Sequence, residues 1–289
     1  MVINKRKIIC TPIGGIGNQI FQFLFCQHLS KITNRQVLIS NINFNYYKKF
    51  SPSISLIFDK KYLNFISDFK FIYYKYFTLN ATFEDISIFK VDDLLIKNII
   101  ESNKDVIFIK GYFQNLSLYN KDPDFLNLFN FDFQTKIHRD GSYKIPVAIH
   151  IRRGDYYNDK KVKKIHGILG DNFFIKSINY FKKLYGNTKF YIFSDDIDYV
   201  SKLDYLKDLD MEFIKEIDPI KSFIKLSSYQ NYIISNSTFS LLASFISSNK
   251  NKHITNICIP KIWHSNILFK DTNLYVNDSK INFNIIDNQ

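Results

Sequence analysis

Val147-Ala148-Ile149-His150-Ile151-Arg152-Arg153-Gly154-Asp155 is the stretch on which the reading of this chain turns. An apolar run interrupted only by His150 is the pattern of a strand buried on both faces, and such strands belong to parallel sheets covered by helices. The run ends in two adjacent arginines. Guanidinium groups at the end of a buried strand are costly unless each meets an anion. Alternate side chains of extended backbone share a face, so His150 and Arg152 fall together and Arg153 falls opposite. Arg152 with His150 is therefore the ligand-facing pair, Arg152 being able to hold a diphosphate through two bonds at once. Arg153 with Asp155 reads as a structural ion pair. The competing reading is a wholly internal salt-bridge cluster.

The same alternation of strand and helix runs outward in both directions. Downstream, a helix is predicted over 172–184 with Phe173, Phe174, Ile178, Phe181 and Leu184 on one face. Strands follow at Phe190 to Phe193 and Tyr232 to Ile234, then a helix from Phe239 to Ser247, and a last strand from Ile254 to Ile259. Upstream, Ile8-Ile9-Cys10 leads into Gly14-Gly15-Ile16-Gly17, a helix from Asn18 to about Ser30, and a strand at Val37-Leu38-Ile39. Between 43 and 144 the pattern blurs, and apart from a strand at Val106 to Ile109 the reading is mostly helical packing. At 289 residues the chain is long enough for about two domains. The boundary is drawn from Asp140-Gly141-Ser142, giving domains at 1–143 and 144–289. The expectation is an α/β chain with ligands at the carboxyl ends of parallel strands.

Each polar motif falls at such an end. Gly14, Gly15, Gly17 and Asn18 form a glycine turn before a helix, where backbone amides approach an anion or a sugar. The turn lacks both the spacing of a dinucleotide fingerprint and the lysine of an ATPase loop. Ser194-Asp195-Asp196 reads as a helix cap, an acidic metal pair, or an acceptor for a guanine edge. Ser237, Thr238 and Phe239 open another helix, suited to phosphate or to plain capping.

Composition sets the outer limits. Hydrophobic residues at 46% and aromatics at 17% exclude intrinsic disorder. A net charge of +12 favours anionic partners, which leaves nucleic acid, anionic lipid and nucleotide sugars to be separated by motif. No nucleic-acid module is present, and the aromatics follow apolar periods, so no nucleic-acid partner is expected. Cys10, Cys26 and Cys258 make neither a disulfide framework nor a zinc site and point to a reducing cytoplasm. The histidines show no paired ligand spacing, so no metal is expected. No run of 18 uncharged apolar residues occurs, so no spanning helix is expected and the chain is read as soluble. Its charge leaves peripheral contact with the inner face of the cytoplasmic membrane open.

Taken in order, the segments at 14–23 (GGIGNQIFQF), 111–115 (GYFQN), 150–156 (HIRRGDY), His166-Gly167, 191–196 (YIFSDD) and 236–240 (NSTFS) resemble the inverting α1,2-fucosyltransferases of bacteria and animals. The resemblance covers nearly the whole chain. It implies a GT-B-like fold of two Rossmann-like lobes, an N-terminal acceptor-side lobe and a C-terminal lobe that binds GDP-sugar facing the interlobe cleft. It implies GDP-fucose as donor, a galactose-containing surface glycan or its lipid-linked precursor as acceptor, and no required metal or other cofactor. By analogy with α1,6- and protein O-fucosyltransferases, Arg152 would contact the β-phosphate, His150 and Asp195 would hold guanine, and Ser237, Thr238 and Phe239 would cradle the diphosphate. Gly14 to Asn18 would approach donor and acceptor. One departure follows the NSTFS segment: Leu241-Leu242-Ala243-Ser244-Phe245 stands where relatives often carry a tryptophan pair and glycine, a change of core packing.

Inverting transfer asks for a base on the acceptor hydroxyl, and His166 and Asp155 are the candidates. The alternatives are another nucleotide-sugar glycosyltransferase or a basic nucleic-acid-binding protein.

Overall fold

The computed structural model describes residues 6–43, 52–85, 93–120, 122–130, 143–154, 160–250, 253–264 and 267–288. The chain divides into two compact units, Met1–Phe131 and Asp132–Gln289.

In the first unit four parallel strands are ordered β2-β1-β4-β3: β1 (Lys7–Cys10), β2 (Gln36–Ile39), β3 (Asn80–Asp85) and β4 (Val106–Gly111). Helix α1 (Ile16–Thr33) carries the chain from β1 to β2 and ends on Asn34, whose φ of 52° gives the left-handed cap. Ile20, Phe21, Phe23, Leu24 and Phe25 on α1 are fully buried, which explains why its apolar residues run around the helix instead of along one stripe. Helix α2 (Asp68–Phe77) packs Phe71 and Tyr74 against Ile9, Leu38, Val106 and Phe108. Helix α3 (Asp93–Glu101) links β3 to β4. The stretch from 43 to 144, read as mostly helical packing, thus contains helices α2 and α3 and the predicted strand β4 but also β3, a strand the sequence reading missed. Its residues Asn-Ala-Thr-Phe-Glu-Asp lie on the sheet edge, where no second neighbour demands an apolar run.

The second unit is built on a six-stranded sheet ordered β12-β9-β8-β5-β6-β7, with all pairs parallel. Its strands are β5 (Ile145–Ile151), β6 (Thr188–Ser194), β7 (Met211–Phe213), β8 (Asn231–Ile234), β9 (Thr255–Pro260) and β12 (Ile281–Ile286). A short antiparallel pair, β10 (Ile262–His264) and β11 (Ile267–Leu268), stands apart. Helices α4 (Lys160–His166) and α5 (Asp171–Tyr185) lie between β5 and β6, while α6 (Pro219–Leu226) and α7 (Thr238–Lys250) flank β8. The predicted last strand at 254–259 is β9, but β12 follows it on the edge; its alternating Asn282 and Asn284 hid it from an apolar-run reading.

Period-two alternation sorts the core. Val147, Ile149 and Ile151 of β5, with Phe190 and Ile192 of β6 and Ile233 of β8, pack under Phe173, Phe174, Ile178 and Phe181 of α5. The intervening residues face the other side: His150 stacks on Phe239 of α7, and Tyr191 and Phe193 meet Tyr229. Both faces of β5 are therefore covered, as its continuous apolar sequence requires.

The strand order puts a switch point in each sheet. The chain leaves β5 toward β6 on one side and leaves β8 toward β9 on the other, so the crevice opens where β5 and β8 end side by side. In the first unit the corresponding place is between β1 and β4, which carry the glycine turn and the 111–115 segment.

Candidate active site

Arg152 stands at the β5/β8 crevice, the first residue past the strand. Its main chain is fixed before its side chain is considered. Ser235, the first residue past β8, donates its hydroxyl to the His150 carbonyl at 2.9 Å and accepts the Arg152 amide at 3.0 Å. On the other side Ser194 at the end of β6 donates to the Ile151 carbonyl at 2.8 Å. Two serines from neighbouring strands thus clamp the end of β5, continuing the sheet's hydrogen bonding where the ladder stops.

The guanidinium is held in turn by Asp195. Its Oδ2 lies 2.7 Å from Arg152 Nη1, and its Oδ1 accepts the Arg153 amide at 2.8 Å. Both side chains of this ion pair retain about a quarter of their exposure, 28% and 26%, so the pair is oriented but not sealed from solvent. Arg153 goes the other way, as the strand period predicts, and its guanidinium carbon lies 3.4 Å from the centre of the Tyr199 ring. Its expected partner Asp155, also a base candidate, lies outside the described residues. Of the two aspartates, Asp196 is the cap, accepting the Tyr199 amide at 3.1 Å. Capping therefore explains Asp196, and an ion pair explains Asp195.

Gly154 closes this arrangement. A Cβ there would lie 2.3 Å from Asp195 Oδ2, so any larger residue would push the carboxylate from its place.

His150 is 4% exposed, and its ring lies 5.3 Å from Phe239, centre to centre, nearly parallel. Burial, reinforced by the positive charge of Arg152, pushes its pKa down to about 3, so it is a neutral imidazole at physiological pH. Its Nδ1 has no hydrogen-bond partner among the described residues, a costly state for a buried nitrogen. Beside it α7 begins: Ser237 is buried, its amide donates to the Ser235 carbonyl, and Thr238 and Phe239 are half-buried. The first turn of α7 carries no acidic residue, leaving the positive end of the helix uncompensated.

His166 sits apart from this group in the hydrogen-bond pattern. Its Nδ1 is 2.7 Å from Nδ1 of His264, so one imidazole donates and the other accepts. His264 is 2% exposed, and burial together with His166 drives its pKa down to about 2. Asn236 ties the two elements together, donating to the carbonyls of His166 at 2.5 Å and Trp263 at 2.9 Å. Sequence reading named neither His264 nor Asn236 individually as a site residue, since the pairing of 166 with 264 spans 98 positions.

The glycine turn belongs to the first unit. Gly14 has a φ of +78°, and Gly15 caps α1 through its backbone alone. Two glutamines of α1 reach back to hold the turn: Gln19 donates to the Gly14 carbonyl at 2.8 Å, and Gln22 both accepts from the Ile13 amide and donates to its carbonyl. Gly17 is buried within α1. Asn18 accepts from Gln114 at 3.1 Å, joining the turn to the 111–115 segment, where Phe113 holds a positive φ of 48°. The other amide atom of Gln114, Oε1, is buried with no partner among the described residues.

Comparison with known proteins gives three findings. The chain is 36% identical over 97 residues to an alpha-1,2-colitosyltransferase of Escherichia coli, covering 32% of this chain and 33% of that protein. It is 28% identical over 171 residues to the O-antigen biosynthesis glycosyltransferase WbnK of Escherichia coli, covering 57% and 51%. The chain thus spans a third and about half of the length of these two relatives. Among solved structures it resembles POFUT1 in complex with GDP-fucose, with a TM-score of 0.53 at 12% identity over 89% of this chain and 98% of that one. It also resembles the alpha-1,6-fucosyltransferase NodZ co-crystallised with GDP, with a TM-score of 0.52 at 14% identity over 83% and 91%. The α/β, GT-B-like architecture is shared with these fucosyltransferases. The sequence pattern of glycosyl transferase family 11 matches residues 9–274, nearly the whole chain, and the chain accordingly belongs to glycosyl transferase family 11.

Proposed function

We propose that this chain transfers L-fucose from GDP-fucose to a galactose hydroxyl of a surface glycan or its lipid-linked precursor, forming an α1,2 linkage with inversion and without a metal. The observation that carries the reading is the fixed guanidinium of Arg152 at the β5/β8 switch point, next to the start of α7, whose first turn carries no acidic residue. Breaking the bond between the sugar and GDP builds negative charge on the leaving diphosphate. A guanidinium already aligned by Asp195 and Ser235 meets that charge without reorganising, and each well-placed donor is worth about 3–4 kcal/mol. Ser237, Thr238 and Phe239 at the start of α7 would cradle the diphosphate, through hydroxyls and the positive helix end, since the Ser237 amide already donates to the Ser235 carbonyl.

Guanine would lie against neutral His150, whose unpartnered Nδ1 offers it a hydrogen bond, with Asp195 at the edge of that subsite. Gly14, Gly15 and Asn18 would approach the sugar and acceptor with backbone and amide groups, while Gly17, buried in α1, lets the helix start pack closely behind them. The acceptor oxygen attacks the anomeric carbon as the bond to diphosphate breaks, and its proton passes to a base. His166 is the described candidate and Asp155 the other. His166 shares its Nδ1 contact with His264, so one of the two rings carries a proton on Nδ1 and the other accepts it. The three buried, free cysteines fit an enzyme working in the reducing cytoplasm, where it would meet its donor.

A second reading changes the sugar. Colitose is fucose without its 3-hydroxyl, and the likeness to a colitosyltransferase favours a pocket that accepts the deoxy sugar. Incubation with GDP-fucose or GDP-colitose, a panel of galactosides and excess chelator, followed by linkage analysis, decides among these readings. An α1,2-fucosylated galactoside formed at full rate in chelator is the expected product. Transfer restored only by added manganese would overturn the metal-free scheme, and exclusive use of GDP-colitose would replace the donor.

A further inference from the structure

Helix α2 carries its apolar residues on the wrong side for a core helix. Phe71 and Tyr74 face the sheet and account for its packing. On the opposite side Phe69 is 82% exposed, Phe77 73%, Tyr76 67%, Tyr73 49% and Ile72 45%. At 100° per residue these five positions span an arc of about 140° centred away from the packing face. Lys70 falls about 20° beyond one end of this arc and Lys75 about 60° beyond the other, both exposed. Among the described residues neither lysine has a carboxylate partner; the Lys75 ammonium instead lies 5.4 Å from the Tyr76 ring centre.

The placement is built, not frayed. Ser67 caps the helix, accepting the Lys70 amide at 3.3 Å. At the other end Asn80 donates to the carbonyls of Tyr74, Lys75 and Thr78. Exposed apolar surface of this continuity marks a binding face. Its composition says which. A second copy of this chain seated by two-fold symmetry would bring four lysines to the contact against two acids, Asp68 of each helix. Anionic phospholipid supplies both halves: phosphates for the lysines and an acyl boundary for aromatic rings, the environment in which Phe, Tyr and Lys sit together. The net charge of +12 acts in the same direction.

We infer that the outer face of α2, with Phe69, Ile72, Tyr73, Tyr76 and Phe77 inserted and Lys70 and Lys75 on phosphates, docks the chain flat on an anionic phospholipid bilayer. No helix among the described residues is long and apolar enough to cross one. The inference does not rest on which sugar is transferred.

The test is co-sedimentation of the full chain with vesicles of phosphatidylcholine alone or with one third phosphatidylglycerol, without donor or acceptor. Binding to the anionic vesicles and not to the neutral ones is expected. Phe69→Ser with Phe77→Ser should weaken it at least tenfold per ring, and Lys70→Gln with Lys75→Gln about fivefold per lysine. Unchanged thermal unfolding and elution volume verify that these surface variants fold. Should the serine variant not fold, a dye on Tyr76→Cys must shift to the blue with anionic vesicles. Absence of anionic-vesicle binding, equal binding by the serine variant, no dye shift, or a wild-type dimer that the serine substitutions split would overturn the inference.

Discussion

Gly154→Ala tests whether Arg152 works because Asp195 holds it. The added Cβ would lie 2.3 Å from Asp195 Oδ2, where contacts below 3.0 Å do not survive. The carboxylate must therefore retreat by roughly 0.7 Å, since repulsion rises steeply inside contact distance. The same oxygen holds Arg152 Nη1 at 2.7 Å. Moving it away stretches that bond to at most about 3.4 Å, past the range of a sound hydrogen bond. A misplacement on the scale of 1 Å costs about 100-fold in a positioned reaction, so kcat/KM should fall by about that factor. Stability should change far less, about 1–2 kcal/mol, because the ion pair is partly solvated and the rest of the turn is untouched. The assay is steady-state transfer with GDP binding and thermal unfolding measured alongside. A double-mutant cycle isolates the cause: in an Asp195→Ala background the clashing atoms are gone, so Gly154→Ala should add almost nothing. Turnover within twofold of wild type, or the same 100-fold drop in both backgrounds, would refute the reasoning.

Arg152→Ala should cut turnover about 100- to 1000-fold; activity within a few-fold, with GDP affinity intact, would remove Arg152 from the chemistry. His150 makes stability depend on pH. Its folded pKa of about 3 lies below the ordinary 6.5, so the unfolded chain binds a proton the folded chain refuses. Stability is thus full above pH 6.5 and falls as pH drops toward 3, by about 2 kcal/mol at pH 5. His150→Phe should flatten that part of the urea-unfolding profile, and an unchanged slope would count against a neutral buried imidazole. His166→Ala should distort the acid limb of the pH–rate profile, and His264→Phe should shift that limb without abolishing it; unaltered profiles in both would dismiss the pair from proton transfer.

Much of the architecture was legible in the chain. Central strands β5, β6, β8 and β9 read as apolar runs because both faces are buried, and β5, β6 and β8 each end on a motif that the sheet delivers to its carboxyl edge. Edge strands other than β2 were not legible. β3, β7 and β12 lie on borders or are short, and their sequences mix Asn, Thr and Glu with apolar residues. Of the site, the strand period correctly sent His150 to one face and Arg153 to the other.

The sequence by itself determined which residue types stand at strand ends and helix starts, because hydrophobic period and turn chemistry are local properties of the backbone. Only the tertiary structure decided what they touch. That Asp195 holds Arg152, that Ser235 bridges two strand ends, and that His264 meets His166 all depend on strand order, which is settled by packing between residues tens of positions apart. The outward apolar face of α2 belongs to the same class: its periodicity is that of any buried helix, and only the sheet beneath it fixes which side is left to the solvent.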